Sequence, residues 1–195
     1  MKRTNLVRIL ETWDAKNRRV FTTGDLRNLL PEETDFNFAN GVTRLSRGDD
    51  AILKRAARGI YVYANSKKPW THISEEIART LRRGYHTYVS LESALSEHGV
   101  ISQIPIDTLT LVTTGRPGRF ETEWGTIEFV HTRRQVLSFV ENLLDVGRPL
   151  RLANPELALD DLTRKGRNLH MVQHAEMEIL KKERETMEVS NEPVF

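Results

Sequence analysis

Residues 44–64 form the stretch that decides the fold of the first part of the chain, RLSRGDDAILKRAARGIYVYA. Its last part is a short apolar run, Ile60 to Tyr63, in which β-forming residues follow one another, and just before it lie Lys54, Arg55 and Arg58. Short β-rich segments on both sides of a glycine-containing turn are typical of a β-hairpin. The stretch therefore predicts a hairpin that carries several positive charges.

Three short helices are predicted before this hairpin. The first has an apolar stripe from Leu6 to Trp13, the second begins at Thr22 or Thr23 and stops at Pro31, and the third begins near Thr34. Three helices followed by a hairpin are the element order of a winged helix-turn-helix. In that fold the third helix enters the major groove of DNA, and the hairpin, called the wing, flanks the phosphate backbone.

One face of the third predicted helix carries side chains that suit base recognition. Asn and Arg side chains can form paired hydrogen bonds with the edges of adenine and guanine, although a merely solvated face is the alternative for any single helix. Contacts from the wing to phosphates would position the protein without specifying sequence, and a solubilising hairpin is the alternative there. The predicted DNA-binding residues are Asn37, Asn40, Thr43, Arg44 and Arg47 on the helix, and Lys54, Arg55 and Arg58 on the wing.

The distribution of charge predicts two modules. The whole chain of 195 residues has a formal net charge of +2. Residues 1–68 contain 14 Lys and Arg against 8 Asp and Glu, whereas residues 69–195 contain 15 against 19. A basic module is a candidate for binding polyanions. We therefore predict a DNA-binding domain over 1–68, a linker at the polar, Pro-terminated segment 65–69, and a second domain over 69–195.

Several classes of protein are disfavoured by the sequence. The chain has no cysteine, which excludes disulfides, thiol catalysis and Cys-ligated metals. No apolar run is long enough for a membrane helix, and charged residues interrupt the N-terminal segment where a signal peptide would need an apolar core. We therefore expect a cytoplasmic protein with no membrane partner.

The second module is predicted to be mixed in structure. The pattern indicates strand–helix pairs at 88–99 and 150–162, a small antiparallel sheet over 106–131, a helix over 135–144, and a C-terminal helix over 170–187. The predicted fold class is therefore α+β, with an N-terminal winged helix-turn-helix followed by a mixed α/β domain with a small antiparallel sheet.

No arrangement of residues in the sequence indicates catalysis. His170 and His174 have a spacing that can bind zinc on a helix, but no third ligand accompanies them. Ser90 lacks the flanking glycines of a nucleophile elbow, and Gly115 and Gly118 are not followed by the Gly-Lys-Ser/Thr of a phosphate-binding loop. We therefore predict no enzymatic activity, no cofactor and no metal site.

Two segments carry a resemblance to a known family, YVSLESAL at 88–95 and ANPELALDDL at 153–162. Together with the predicted winged helix and the strand–turn–strand segment at 109–132, they make roughly residues 5–165 resemble the AbiEi family. That family consists of antitoxins of bacterial type IV toxin–antitoxin systems. A winged helix alone is too common to indicate a family, so the resemblance depends on the two quoted segments.

The resemblance implies a function for each module. The N-terminal winged helix would bind operator DNA upstream of its own operon and repress it, with self-association on DNA as a further expectation. The C-terminal domain would counteract a cognate nucleotidyltransferase-like toxin, and whether this needs direct contact stays open. Cationic residues expected to be exposed give the candidate antitoxin surface: Arg79, Arg82, Arg83, Arg133 and Arg134.

Two other functions remain as alternatives. The chain could be a stand-alone winged-helix transcriptional regulator whose C-terminal domain senses a ligand or a protein. It could also be an interaction protein whose winged helix binds protein or RNA. A nucleotidyltransferase gene beside its own gene would favour the antitoxin over the stand-alone regulator, and binding to the upstream DNA would exclude the interaction protein.

Overall fold

The computed structural model of the protein describes residues 3–101 and 107–172. Three short 3-10 helices, Val136–Ser138, Val140–Asn142 and Leu169–Met171, accompany six α-helices and nine strands in the described ranges. In chain order the α-helices and strands are α1 (Arg3–Ala15), β1 (Val20–Thr22), α2 (Thr23–Leu29), α3 (Asp35–Leu45), β2 (Leu53–Ala57), β3 (Ile60–Tyr63), α4 (Ile73–Leu81), β4 (Thr87–Val89), α5 (Leu91–Glu97), β5 (Thr108–Thr113), β6 (Gly118–Thr122), β7 (Gly125–His131), β8 (Leu143–Leu144), β9 (Arg151–Ala153) and α6 (Pro155–Lys165).

The fold is mixed α+β, as predicted, and it contains two sheets. A three-stranded antiparallel sheet has the order β1-β3-β2, and a six-stranded mixed sheet has the order β6-β7-β5-β4-β9-β8. The chain divides into two compact units. The N-terminal unit runs to Arg83 and includes Phe120–Gly125, and the C-terminal unit contains Gly84–Arg119 and the described residues from Thr126 onwards.

The three predicted N-terminal helices and the hairpin are present. Thr22 is the N-cap of α2: its hydroxyl accepts a hydrogen bond from the Asp25 backbone N–H at 2.9 Å, and the Asp25 carboxylate accepts one from the Thr22 N–H at 2.8 Å. Thr34 caps α3 by accepting from the Asn37 N–H at 3.3 Å. These caps satisfy amide groups that a helix leaves unpaired at its start, which is why the local sequence was sufficient to place both helices.

The core of the N-terminal unit lies on one face of the three-stranded sheet. Three strand residues point to that face, Phe21, Leu53 and Tyr63. They pack with the buried side chains of α1, α2 and α3 in one apolar cluster. Val20 and Val62 point to the opposite face and are also buried. Because α4 packs against β1 and β3, this helix belongs to the N-terminal unit.

The segment predicted as a linker, residues 65–69, is instead fixed to the N-terminal unit. The Ser66 hydroxyl and the Lys67 N–H both donate to the buried Asp14 carboxylate. Arg19, whose side chain is only 3% exposed, donates to the backbone carbonyls of Lys68 and Pro69. The chain consequently divides after Arg83, whereas the sequence predicted a boundary after Lys68, because composition does not reveal such long-range contacts.

The sheet of the C-terminal unit differs from the predicted small antiparallel sheet. Strands β5 and β7 are parallel, with Thr108 opposite Thr126 and Thr113 opposite His131. Strand β4 pairs antiparallel with β5 and parallel with β9. The prediction was wrong because it paired strands in chain order, whereas β7 lies between β5 and β6 and thereby becomes parallel to β5.

The prediction of a helix over 135–144 is also wrong. This segment forms two 3-10 turns followed by β8, which pairs antiparallel with β9. Asn154 fixes the end of the segment, since its N–H donates to the Asn142 carbonyl at 2.9 Å and its side-chain amide donates to the Asn142 side chain at 3.0 Å. The predicted C-terminal helix over 170–187 lies outside the described residues from position 173. Within the described ranges, no helix has both the length and the apolarity to cross a membrane.

Candidate functional site

Helix α3 presents an exposed polar face in the N-terminal unit. Its buried residues Phe38, Val42 and Leu45 follow one another at helical spacing and belong to the apolar cluster. The opposite face of the helix is exposed and carries four of the predicted DNA-binding residues: Asn37, Asn40, Thr43 and Arg44.

Arg47 is exposed but does not lie on the helix as the sequence had suggested. Helix α3 ends at Leu45, and the Ser46 hydroxyl donates to the Val42 carbonyl at 2.7 Å. Gly48 has a φ of 80°, a conformation that favours glycine and turns the chain away from the helix axis. Sequence reasoning also missed Phe36, which is 78% exposed in the first turn of α3 and out of phase with the buried positions.

The cations of the hairpin do not form one cluster at its turn. Lys54 lies opposite Val62 and Arg55 opposite Tyr61, so that the two basic side chains point to opposite faces of the sheet. The Lys54 ammonium is ion-paired with Glu123 at 2.5 Å, and of these three cations only Arg58 lies in the turn between the strands. All three side chains are exposed, and their role as phosphate contacts stays a prediction.

Three residues of the predicted antitoxin surface lie in the N-terminal unit. Arg79 is exposed in the last turn of α4, and the Arg82 guanidinium lies 5.3 Å from the centre of the Phe120 ring. Arg83 donates to both carboxylate oxygens of Asp25, each at 2.9 Å. These contacts give Arg82 and Arg83 a structural role within the N-terminal unit.

The Asp25 carboxylate joins α2 to the end of α4. Burial alone would raise its pKa, but hydrogen bonds from Arg83, from the Thr22 N–H and from Arg18 lower that pKa well below its usual range. A carboxylate that accepts several hydrogen bonds is stabilised in its charged form. Asp25 is therefore ionised at neutral pH and contributes to the stability of the N-terminal unit.

The other two predicted surface residues, Arg133 and Arg134, line a cavity in the C-terminal unit. Arg133 is exposed, whereas Arg134 forms ion pairs with Asp160 and with Asp161, the latter at 3.4 Å. The cavity measures about 520 Å³. Its lining residues are Val112, Pro117, Val130, His131, Thr132, Arg133, Arg134, Asp161, Arg164 and Lys165.

The sequence reasoning missed the contribution of Arg164 and Lys165 to this cavity. Both residues lie in the last turn of α6, where basic side chains also compensate the helix dipole. Their proximity to residues 131–134 follows from the placement of α6 relative to the end of β7. No local pattern in the sequence encodes that placement.

A buried polar network joins the segment 88–95 to the segment 153–162. The Tyr88 hydroxyl and the Ser90 hydroxyl both donate to Oδ2 of Asp161, at 3.0 and 2.7 Å. Burial raises the pKa of Asp161 despite these hydrogen bonds and the nearby Arg134, and burial together with the neighbouring Asp161 carboxylate raises the pKa of Tyr88. Tyr88, Ser90 and Asp161 therefore hold β4 and α6 together.

Helix α5 begins without a side-chain capping hydrogen bond. Ser90 stands at the N-cap, but its side chain makes no capping hydrogen bond because it donates to Asp161 instead. Glu92 in the first turn is buried and accepts from Arg167 at 2.8 and 3.1 Å and from the Asn168 side chain at 2.7 Å. The polar residues of the segment YVSLESAL are thus engaged within the C-terminal unit.

The described residues show no arrangement that would bind a metal. No group of three or more His, Asp or Glu side chains converges within residues 3–101 and 107–172. His170 is exposed in a 3-10 turn, and His174, its predicted partner in a chelating pair, lies outside the described residues.

Comparison with known proteins gives a likeness to a solved structure. No protein-family model matches the chain, and no curated protein matches it. Among solved structures, the chain is similar to the RV2827C protein from Mycobacterium tuberculosis, with 17% sequence identity and a TM-score of 0.51. The match covers 82% of this chain and 60% of that one, so the chain spans less than two thirds of its neighbour's length. At this identity the likeness concerns the fold alone.

Proposed function

We propose that the protein is an antitoxin of a type IV toxin–antitoxin system, related to the AbiEi family, that also represses its own operon in the cytoplasm. The N-terminal unit would act as a winged helix-turn-helix on operator DNA, with α3 as the reading helix and β2–β3 as the wing. The C-terminal unit would counteract a nucleotidyltransferase-like toxin, and neither unit is expected to have enzymatic activity.

The exposed face of α3 is the observation that carries this proposal. The buried side of α3 is fixed in the core, and its exposed side carries Asn40 and Arg44. Asn and Arg side chains bind base edges in the major groove. The hairpin follows α3 after seven residues and adds Arg55 and Arg58 as exposed cations. An exposed helix with a basic hairpin beside it in the chain suits a surface that combines base and phosphate contacts.

The antitoxin part of the proposal depends on the two segments at 88–95 and 153–162. Their polar residues Tyr88, Ser90 and Asp161 form one buried network, so the segments specify a common structural element of the C-terminal unit. Such a network requires these side chains together, because an unpaired member would leave a buried polar group unsatisfied. The two segments therefore depend on each other for the packing of β4 against α6, and the antitoxin part of the proposal rests on their resemblance to the AbiEi family.

A stand-alone regulator with a ligand-sensing C-terminal domain is the second candidate function. The cavity of the C-terminal unit favours it, since 520 Å³ lies within the size range of small-molecule sites. Both candidates share the proposed DNA-binding unit and differ only in what the second unit does.

Co-expression separates the two candidates. The intact chain would be produced with the nucleotidyltransferase-like protein encoded beside its gene, and colony growth would be measured. The antitoxin proposal predicts that the wild-type chain restores growth and that Arg44→Ala restores it equally, because Arg44 lies in the N-terminal unit. Growth arrest that persists at matched protein levels, or the absence of such a neighbouring gene, would reject the antitoxin and leave the regulator.

A further inference from the structure

We propose that the cavity between the end of β7 and the last turn of α6 binds a small organic phosphate of the size of a nucleoside monophosphate. This inference concerns the C-terminal unit alone. It does not require that the protein binds DNA or counteracts a toxin, and ligand binding is measured separately from both.

The charge around the cavity selects an anionic ligand. Four cationic side chains line it, whereas Asp161 is the one carboxylate among the lining residues that the structure describes; the four cations are Arg133, Arg134, Arg164 and Lys165. Even when the adjacent Asp160 is counted, cations outnumber carboxylates by four to two. Guanidinium groups bind phosphate oxygens through paired, charge-assisted hydrogen bonds, which makes phosphate the best-matched anion.

The dipole of α6 does not by itself explain this cluster. Arg164 and Lys165 would suffice to compensate the negative end of the helix. Arg133 and Arg134 come from the segment after β7, however, and converge on the same cavity. Cations that gather from two separate elements indicate a site for an external negative charge.

Two of the arginines are already held in position. Asp160 accepts from Arg134 and from the Nε of Arg164 at 3.1 Å, so one carboxylate orients both guanidinium groups. The side chain of Arg134 is only 13% exposed. Side chains ordered before binding lose little conformational entropy when the ligand arrives, which favours affinity.

The remaining wall suits the organic part of the ligand. Val112, Pro117 and Val130 supply apolar surface to the lining of the cavity. The ring of His131 is fixed by a 2.8 Å hydrogen bond between its Nδ1 and the Gly115 carbonyl. Small-molecule pockets usually combine an apolar wall with a few convergent polar groups.

Isothermal titration calorimetry of the intact chain tests this proposal, with adenosine 5′-monophosphate, inorganic phosphate and adenosine as probes. We expect the monophosphate to bind at one site per chain, inorganic phosphate to bind more weakly at the same site, and adenosine not to bind. Arg133→Ala and Lys165→Ala should each weaken monophosphate binding about tenfold, the effect of one lost charge-assisted hydrogen bond. Arg151→Ala, which removes an exposed cation from β9 outside the cavity, is the matched control and should bind normally.

Thermal unfolding supplies a second measurement that does not depend on heats of binding. The monophosphate should raise the melting temperature of the wild type and of Arg151→Ala. It should raise the melting temperature of Arg133→Ala much less. The proposal is overturned if neither phosphate probe binds, if adenosine binds as tightly as its monophosphate, or if Arg151→Ala weakens binding as much as Arg133→Ala. It is also overturned if a random-sequence DNA duplex displaces the monophosphate, since the cavity would then take backbone phosphates.

Discussion

The stability of the N-terminal unit should depend strongly on the buried side chain of Arg19. Its guanidinium donates to both carboxylate oxygens of Glu76, at 3.1 and 2.7 Å, and to the carbonyls of Lys68 and Pro69, at 3.0 and 2.8 Å. It also lies 4.7 Å from the centre of the Trp70 ring. One side chain thus joins the start of β1 to the segment 65–69 and to α4.

The cost of replacing Arg19 by Met follows from these contacts. The Glu76 side chain is only 18% exposed, so it would keep a charge without its partner, and two carbonyls would lose their donor. Removing one partner of a buried ion pair costs about 3–5 kcal/mol. Because a domain is stable by only about 5–15 kcal/mol, Arg19→Met should remove a large part of the stability of the unit.

Urea unfolding followed by tryptophan fluorescence measures this loss selectively. The three tryptophans of the chain, Trp13, Trp70 and Trp124, all lie in the N-terminal unit. Arg18→Met is the matched control: Arg18 also pairs with a carboxylate, but its side chain is 34% exposed, and it should cost no more than about 1 kcal/mol. In the double variant Arg19→Met with Glu76→Leu, stability should partly return because no unpaired carboxylate remains.

A loss of less than about 1 kcal/mol in the free energy of unfolding of Arg19→Met, or a loss no larger than that of Arg18→Met, would contradict this role of Arg19. The role would also be contradicted if the double variant were less stable than Arg19→Met alone. Either result would mean that the buried guanidinium does not hold segment 65–69 and α4 to the sheet.

Three further predictions concern single side chains. Arg58→Ala should weaken binding to any DNA and reduce the slope of log affinity against log salt by about one unit. Lys54→Ala should change this slope less, because Lys54 is already ion-paired with Glu123; salt titrations measure both slopes. Because the pKa of Asp25 is lowered in the folded state, its ionised carboxylate stabilises the protein above the usual carboxylate pKa of about 4, and this stabilisation is lost as the pH falls below about 4. Asp25→Asn should therefore be less stable than the wild type at pH 7, and its stability should depend less on pH between 4 and 2; denaturation experiments at several pH values measure both. Tyr88→Phe should destabilise the C-terminal unit by about 1 kcal/mol through loss of the hydrogen bond to Asp161, as followed by circular dichroism, and an unchanged midpoint would contradict the buried network.

Local signals in the sequence were sufficient for the helices that begin with a cap. Thr22 and Thr34 were recognisable because a capping side chain and the buried helix face that follows lie within one or two turns. The same holds for Asn154, which accepts from the Leu157 N–H at 2.9 Å with Pro155 at the first position of α6. The exposed side of α3 then followed from helical periodicity.

Contacts between residues far apart in the chain could not be predicted in this way. The insertion of β7 between β5 and β6, and the bridging of three segments by Arg19, are decided by packing across the unit. Of the cavity, the sequence indicated Arg133 and Arg134 as exposed cations but not Arg164, because the cluster exists only once α6 is placed beside β7.

Recognition of operator sequence by α3 is best measured by the binding of the intact chain to the DNA upstream of its gene. Fluorescence anisotropy with labelled operator and random duplexes at fixed salt would compare the wild type with Arg44→Ala. We predict that Arg44→Ala weakens operator binding by about 1–3 kcal/mol, which is roughly 5- to 150-fold in Kd, and changes binding to random DNA much less. An equal loss on both duplexes, or wild-type affinity that does not distinguish them, would contradict base recognition by α3.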